Sequence, residues 1–168
     1  MPYISAIVLA AFITLFTGDD KPKEKIEPTW SEFDSGFEHA KKAKKKVMLD
    51  IYTDWCGWCK KLDKEVYGNS NVAKYLNEKY VLIKVNAESD KKVTFRGKTY
   101  TEAQISRALG AKGYPTIVFT KSDQELITNL GGFVDSARFL NIIKFLGEDY
   151  YETMKWEEFI EMNSKEKK

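Results

Sequence analysis

The feature that most constrains this chain is a pair of cysteines, Cys56 and Cys59, set between a buried-strand pattern and a helical pattern. They are the only cysteines in 168 residues. Residues 47–52 are apolar apart from one aspartate, which is typical of a strand buried on both faces. From Cys56 to Tyr67 the apolar residues recur at helical spacing. The pattern therefore predicts a strand, a short turn that carries the thiols, and a helix.

Thiols at the start of a helix are expected to be reactive. The first backbone N–H groups of a helix lack partners and carry partial positive charge, so they stabilise a thiolate at Cys56. Cys59 lies about one turn further on, where it can form a disulfide with Cys56 and is expected to be the more buried of the two. We therefore expect Cys56 to attack a substrate disulfide and Cys59 to resolve the mixed disulfide that results.

Three other uses of two cysteines fit this sequence less well. A structural zinc site needs four Cys or His ligands, and the chain has only His39 to add to its two cysteines. Covalent haem attachment needs a histidine after the second cysteine, where this chain has Lys60. A structural disulfide across so short a loop stabilises little, because closure entropy grows with loop length. We expect no metal and no cofactor beyond a redox-active Cys56–Cys59 disulfide.

The composition is that of a globular protein and excludes several other classes. Hydrophobic residues make up 43% of the chain, aromatic residues 14% and charged residues 31%, which is incompatible with a disordered chain. The 27 Lys and Arg nearly balance the 25 Asp and Glu, so no strong positive field favours nucleic-acid binding. Two cysteines are too few for a disulfide-rich secreted scaffold.

The elements predicted after the N-terminal region describe one α/β domain with no internal repeat. Between residues 88 and 100 a polar stretch is expected to form a loop or a small hairpin around Arg96 and Gly97. The predicted order is a helix within 30–46 that begins near Ser31, a strand 47–52, helices 56–67 and 71–78, a strand 80–85, a helix 101–109, strands 115–119 and 126–130, and a helix around 139–146.

Residues 1–18 are predicted to be a signal peptide or a membrane anchor. Residues 4–16 are almost entirely apolar, and a run of about 13 residues matches a signal-peptide core but is short for a membrane-spanning helix. No Lys or Arg precedes the run and no small-x-small cleavage site follows it, so cleavage and retention both stay open. We expect an exported, periplasmic protein in which 19–28 form a polar linker.

The sequence around the cysteines resembles the thioredoxin superfamily. Asp50 stands six positions before the first cysteine, where the superfamily keeps a buried carboxylate that accepts the proton of Cys59. Lys84, the one charge in the second apolar strand, matches the lysine that pairs with that carboxylate. Residues 113–116 match the turn in which the bond before Pro115 is cis. The resemblance implies a central mixed sheet with helices on both faces over 29–148.

The resemblance also implies where substrate binds and how the chain ends. Within the superfamily, the sequence most resembles exported bacterial thioredoxin-like proteins of the SoxW type. Residues 149–168 form a predicted C-terminal helical extension, expected to dock on the domain rather than to bind a partner. Apart from the thiols, substrate is expected to contact the residues that flank the cysteines and the proline turn: Trp55, Gly57, Trp58, Tyr114 and Pro115. Either tryptophan also fits a core position, and Trp55 fits it better than Trp58.

The function predicted from these features is reduction of protein disulfides through a mixed-disulfide intermediate, with electrons from a membrane thiol carrier. Two alternatives stay open. One is a periplasmic oxidase or isomerase of disulfides, since Gly57 and Trp58 replace the Gly-Pro of thioredoxin and this dipeptide tunes the reduction potential. The other is a non-catalytic module that holds peptides in the groove near Pro115.

Overall fold

The computed structural model describes residues 25–165. The predicted signal or anchor segment 1–18 lies outside the described residues, as do residues 19–24 of the predicted linker and 166–168 of the C-terminal extension. Within the described range, none of the helices has both the length and the apolar character needed to cross a bilayer.

The chain folds into a five-stranded mixed sheet, a separate two-stranded hairpin and six α-helices over residues 25–165. The elements in chain order are β1 (Trp30–Ser31), α1 (Phe33–Ala43), β2 (Lys46–Tyr52), α2 (Gly57–Leu62), α3 (Ser70–Lys79), β3 (Tyr80–Asn86), β4 (Lys92–Phe95), β5 (Lys98–Thr101), α4 (Glu102–Ala108), β6 (Thr116–Thr120), β7 (Leu126–Gly131), α5 (Ser136–Gly147) and α6 (Trp156–Lys165). A π-helical segment, Asp63–Tyr67, continues α2, and a 3₁₀ turn, Tyr150–Glu152, precedes α6.

The sheet has the order β1-β3-β2-β6-β7. Strands β1, β2 and β3 are parallel, whereas β6 is antiparallel to both of its neighbours, β2 and β7. Because β2 lies at the centre, the turn after it opens at the middle of one edge of the sheet. The central strands predicted from sequence agree with those observed to within about two residues at each end.

One face of the sheet is covered by α1 and α4. The odd-numbered residues Val47, Leu49 and Ile51 of β2 lie on this face and are completely buried. They belong to a hydrophobic cluster with Phe33 and Phe37 of α1. A β-carbon on Gly36, in the same helix, would stand 2.9 Å from Cδ1 of Ile83, so a glycine lets α1 pack closely on the sheet.

The opposite face is covered by α2, α3 and α5. Met48 of β2 packs in a second cluster that includes Leu62 of α2 and Phe139 of α5. Side chains alternate between the faces of a strand, so Asp50 projects from the same face as Met48. Asp50 therefore lies on the side of the sheet that is covered by the cysteine-bearing helix. The mixed sheet with helices on both faces has the α/β architecture that the resemblance implies.

The first predicted helix is wrong at both ends. Trp30 and Ser31 form β1, paired with Leu82 and Ile83 of β3, and α1 begins only at Phe33. The helix ends at Ala43 because Lys44 adopts a left-handed conformation, with φ of 54°. The lysine run therefore does not continue the helix. Lys46 already belongs to β2, and its ammonium donates to the carbonyl of Gly147 at 3.1 Å.

The polar stretch before α4 forms the expected hairpin. Strands β4 and β5 pair around Arg96 and Gly97, whose φ values of 49° and 73° place both in the left-handed region that a tight turn requires. The Arg96 guanidinium donates to the carbonyl of Gln124 at 3.0 Å and 3.1 Å, which fixes the hairpin tip to the β6–β7 turn.

The C-terminal helix packs on the domain through aromatic residues. Phe159 of α6 is buried, with its ring centroid 5.3 Å from that of Phe145 and 5.0 Å from that of Tyr150. Trp156 lies edge-on to Phe145, at 5.3 Å. The described part of the extension therefore docks against α5, as expected.

Candidate active site

The two cysteines lie where the sequence predicts, in the turn between β2 and α2. Cys56 is the N-cap of α2, and its backbone N–H donates to the carbonyl of Thr53 at 3.1 Å. Cys56 and Cys59 form a disulfide with an S–S distance of 2.07 Å. The backbone N–H of Cys59 points at Sγ of Cys56, at 3.0 Å. This N–H would stabilise negative charge on that sulfur after reduction.

The two cysteines are buried to almost the same extent. Cys56 is 4% exposed and Cys59 is 3% exposed, so Cys59 is the more buried of the two, as expected, but only by a small margin. The reason is local: Cys56 caps the helix, and the disulfide holds its sulfur against the first turn. Access of a substrate to the two sulfur atoms therefore depends on the side chains that surround the turn between β2 and α2.

Asp50 is a buried carboxyl group on the sheet face under α2. It is 1% exposed, and its Oδ1 atom has no hydrogen-bond partner within residues 25–165. Its other oxygen, Oδ2, accepts from Nζ of Lys84 at 3.1 Å, across the β2–β3 register that pairs the two residues. Burial raises the pKa of Asp50 to about 6, although the positive charge of Lys84 acts in the opposite direction. A carboxyl group with this pKa can take up and release a proton near neutral pH.

Lys84 has a second carboxylate partner that sequence reasoning missed. Its ammonium lies 2.7 Å from Oδ1 of Asp63 and sits over the rings of Trp30 and Tyr52, at 4.9 Å and 5.0 Å from their centroids. Burial lowers the pKa of Lys84, but the carboxylates of Asp50 and Asp63 outweigh this effect and raise it. Lys84 therefore stays charged and connects a buried carboxyl group to a half-exposed one.

The position of Asp63 in the sequence gave only a weak indication that it lies near the cysteines. It lies four residues after Cys59, one turn further along a predicted helix, so a carboxylate near the site could have been inferred. The ion pair between Asp63 and Lys84 could not be inferred, because it depends on how the segment that carries Asp63 is placed relative to β3.

Aromatic side chains flank the disulfide on both sides. Trp55 is 67% exposed, so the interpretation of Trp55 as a core residue is wrong. Its ring lies edge-on to Tyr114 at 6.1 Å, and its indole N–H donates to Glu88 at 2.9 Å. Trp58 is 57% exposed and lies 5.6 Å from Phe133, which sequence reasoning did not single out. We call Trp55, Trp58, Tyr114 and Phe133 the aromatic platform.

The proline turn is built as expected. The peptide bond between Tyr114 and Pro115 is cis. The carbonyl of Pro115 accepts from the backbone N–H of Gly132 at 2.8 Å, and the Thr116 hydroxyl donates to the carbonyl of Gly113 at 2.7 Å. A cavity of about 730 Å³ opens beside the turn, and four of its eight lining residues are glycines. It is lined by Gly110, Lys112, Gly113, Tyr114, Thr116, Asn129, Gly131 and Gly132.

Gly57, the remaining predicted contact residue, is exposed, and space around it is open where a β-carbon would stand. In residues 25–165, no group of three or more His, Cys, Asp or Glu side chains is arranged to hold a metal ion. The described site contains the Cys56–Cys59 disulfide at the start of α2 and the buried carboxyl group of Asp50 on the sheet face that this helix covers.

Comparison with known families gives a decisive match. Residues 33–147, more than half of the chain, match the family described as the thioredoxin-like domain. The chain belongs to this family. The matched range of this thioredoxin-like protein includes the cysteine pair, Asp50, Lys84 and Pro115.

Curated relatives and solved structures agree with this assignment. The thiol:disulfide interchange protein DsbD of Vibrio vulnificus strain CMCP6 is 36% identical over 110 residues, which cover 62% of this chain and 16% of the relative. The match thus spans about a sixth of the relative's length. The family match and the CxxC disulfide confirm the predicted thioredoxin-like class with a CxxC pair.

Two solved structures show the same fold. A thioredoxin-fold protein from Helicobacter pylori superimposes with a TM-score of 0.64 and 18% identity, covering 84% of this chain and 94% of that one. The C-terminal domain of Neisseria meningitidis DsbD superimposes with a TM-score of 0.52 and 22% identity, covering 68% of this chain and 97% of that one.

Proposed function

We propose that this protein reduces disulfide bonds in other proteins, with Cys56 as the attacking thiol and Cys59 as the resolving thiol. The observation that carries the proposal is the disulfide at the N-cap of α2 on the same side of the sheet as a buried, titratable Asp50. A structural disulfide has no need of a buried proton acceptor, and a buried carboxyl group is costly to keep. Thiol-disulfide exchange does need one.

In the first step, the Cys56 thiolate attacks one sulfur of a substrate disulfide. A bond forms between Cys56 and that sulfur, the substrate S–S bond breaks, and the second substrate sulfur leaves as a thiolate that takes a proton from solvent. The Cys59 N–H that points at Sγ of Cys56 stabilises the attacking thiolate.

In the second step, Cys59 loses its proton and attacks Cys56. The Cys56–Cys59 disulfide forms, the mixed disulfide breaks, and the first substrate sulfur leaves as a thiol after protonation. Two electrons have then passed from the protein to the substrate. We assign Asp50 the role of accepting the proton of Cys59, and Lys84 the role of stabilising the ionised carboxylate so that it is available.

The substrate is proposed to lie against the aromatic platform and the proline turn. Trp55, Gly57 and Trp58 adjoin the two cysteines in sequence, and Tyr114, the neighbour of Pro115, lines the cavity beside the proline turn. A cavity half lined by glycines, next to exposed tryptophan rings, suits an extended polypeptide better than a small polar molecule. Protein disulfides in unfolded or flexible segments are therefore the proposed substrates.

The proposed location is the periplasm, as for the exported SoxW-type proteins that the sequence resembles. The apolar run 4–16 supports export or anchoring, with the thioredoxin-like domain at 29–148 and the helical extension at 149–168. A reductase outside the cytoplasm needs a supply of electrons, and we propose a membrane thiol carrier as the donor. The similarity to a thiol:disulfide interchange protein supports exchange with protein partners.

The direct test is catalysed reduction of insulin by the full chain, with dithiothreitol as the electron source. We expect the protein to increase the rate well above that of dithiothreitol alone, and the Cys56→Ser variant to give only the background rate. A parallel assay follows disulfide formation in a reduced, unfolded protein. If the protein accelerates that reaction and not insulin reduction, it is an oxidase; if it accelerates neither, the non-catalytic binding function replaces our proposal.

A further inference from the structure

A lysine beside the disulfide is held against two aromatic rings and has no hydrogen-bonded partner within residues 25–165. The ammonium of Lys61 lies 5.0 Å from the ring centroid of Trp58 and 4.9 Å from that of Phe133. Its nearest carboxylate, Glu65, is 3.9 Å away, which is too far for a hydrogen bond. The Lys61 side chain is 42% exposed, so part of this cation faces solvent.

Two carboxylates on the neighbouring elements have partners of their own. Asp63 pairs with Lys84 at 2.7 Å. Asp135, two residues after Phe133, accepts from the first backbone N–H groups of α5 at 3.0 Å. Lys60 and Lys64 on the same helical segment are exposed and add positive charge. Beside Lys61, the single carboxylate of Glu65 at 3.9 Å thus faces a helical segment that also carries Lys60 and Lys64.

The Trp55 side of the platform has the opposite character. Glu88 accepts from the indole N–H of Trp55 at 2.9 Å. The Asp54 carboxylate, which precedes Trp55, accepts from the side-chain amide of Asn86 at 3.4 Å. An extended chain that crosses the disulfide thus meets a cation on one side and carboxylates on the other.

We infer that Lys61, seated between Trp58 and Phe133, binds an acidic residue of the substrate close to its reactive cysteine. This inference rests on the proposed function and specifies its substrate class: extended protein segments that carry a carboxylate beside the disulfide. The two ring faces hold the ammonium while Glu65 stays at 3.9 Å, so its N–H donors are available to an incoming carboxylate. Trp58 lies between the two cysteines, which places this contact within a few residues of the bond that is exchanged.

The site is also continuous with the proline turn. Phe133 directly follows Gly132, whose N–H donates to the carbonyl of Pro115 at 2.8 Å. A segment that lies along the turn would therefore extend towards Phe133 and Lys61. Lys61 is a specificity-determining residue in this account, and it takes no part in the exchange of electrons.

The test uses peptide disulfides with one variable residue, Glu, Gln or Lys, placed two positions before the cysteine in one set of three and two positions after it in another. The set with the larger rate difference is the one whose variable residue faces Lys61. The full chain is reduced, freed of reductant and mixed with each peptide at low salt, and its oxidation is followed by rapid quenching and thiol alkylation. We expect the Glu peptide to react about fivefold faster than the Lys peptide, with the Gln peptide in between and the difference shrinking at high salt.

The variants Lys61→Gln and Phe133→Ala identify the residues responsible. Lys61→Gln is expected to reduce the Glu-to-Lys rate ratio to below about twofold while the Gln peptide still reacts, and Phe133→Ala to reduce it partly. The matched control, Lys64→Gln, removes one nearby positive charge and is expected to keep the ratio. Equal rates for all three peptides in both sets, or the same ratio in Lys61→Gln, would overturn the inference and leave the reductase function intact. If no peptide oxidises the dithiol, the proposed function itself fails and the inference fails with it.

Discussion

The Cys59→Ser variant is expected to accumulate mixed disulfides with its protein substrates, and the Cys56→Ser variant is expected to accumulate none. In Cys59→Ser the first step still occurs, because Cys56 keeps its thiol and its N-cap position. The second step cannot occur, since a hydroxyl does not attack a disulfide at neutral pH. Multiple turnover should fall to the uncatalysed background in both variants.

The measurement is non-reducing electrophoresis after acid quenching, with mass spectrometry of the linked peptides. Every link should map to Cys56, and dithiothreitol should release the partner. Serine differs from cysteine by a single atom, so circular dichroism should show the same fold in both variants. Links through Cys59 in the Cys56→Ser variant would reverse the assigned roles, and the absence of links in both would contradict a covalent mechanism.

Replacing Asp50 by asparagine is expected to stabilise the fold at neutral pH and to slow exchange. The folded protein holds the pKa of Asp50 at about 6, against an ordinary value of 3.8, chiefly because the carboxyl group is buried. A shift of that size corresponds to about 3 kcal/mol by which ionised Asp50 lowers the free energy of unfolding. Asparagine resembles the protonated carboxyl group, so the variant should recover about that amount.

The stabilisation expected from Asp50→Asn depends on pH. Between pH 3.8 and about 6 the folded state binds more protons at Asp50 than the unfolded state, so stability falls as pH rises through this range. The advantage of Asp50→Asn should therefore be absent at acidic pH, grow through the window and be complete above it.

Denaturant unfolding at pH 4 and pH 7.5 measures the difference. The matched control is Asp63→Asn, which neutralises the other carboxylate partner of Lys84 at a half-exposed position and should change stability by about 1 kcal/mol or less. The same Asp50→Asn protein should show slower resolution of the mixed disulfide near neutral pH. A variant less stable than the wild type at pH 7.5 would show that the Lys84 pair outweighs the cost of burial.

The sequence was sufficient to predict the pairing of Asp50 with Lys84 and the position of the cysteine turn. Residues 47–52 and 80–85 are apolar runs with one charge each, and the register of β2 and β3 pairs Asp50 with Lys84 as the family resemblance implies. The cysteine turn follows from the same pattern, because a buried strand that meets a helical period must turn between them. The periphery of the sheet was less predictable. The two-residue strand β1 is too short to give a pattern, and it forms only because β3 offers a free edge.

The surface around the disulfide was the least predictable part. Trp55 is apolar and follows a buried strand, which favours a core interpretation, but the turn directs its ring to solvent, where it is 67% exposed. Phe133 is 74 positions from Cys59 in sequence and meets Trp58 only after the sheet is assembled. Lys61 and Asp63 depend on the same tertiary contacts, so a helical pattern alone gives them no special role.

The measurement that most directly tests the central claim is the equilibrium reduction potential of the Cys56–Cys59 pair. The full chain is equilibrated in graded thiol-disulfide buffers, and Trp55 and Trp58 report the redox state through fluorescence because both flank the disulfide. A reductase is expected to have a potential of about −270 mV or lower. A potential near −120 mV would contradict the account and assign the protein to disulfide formation.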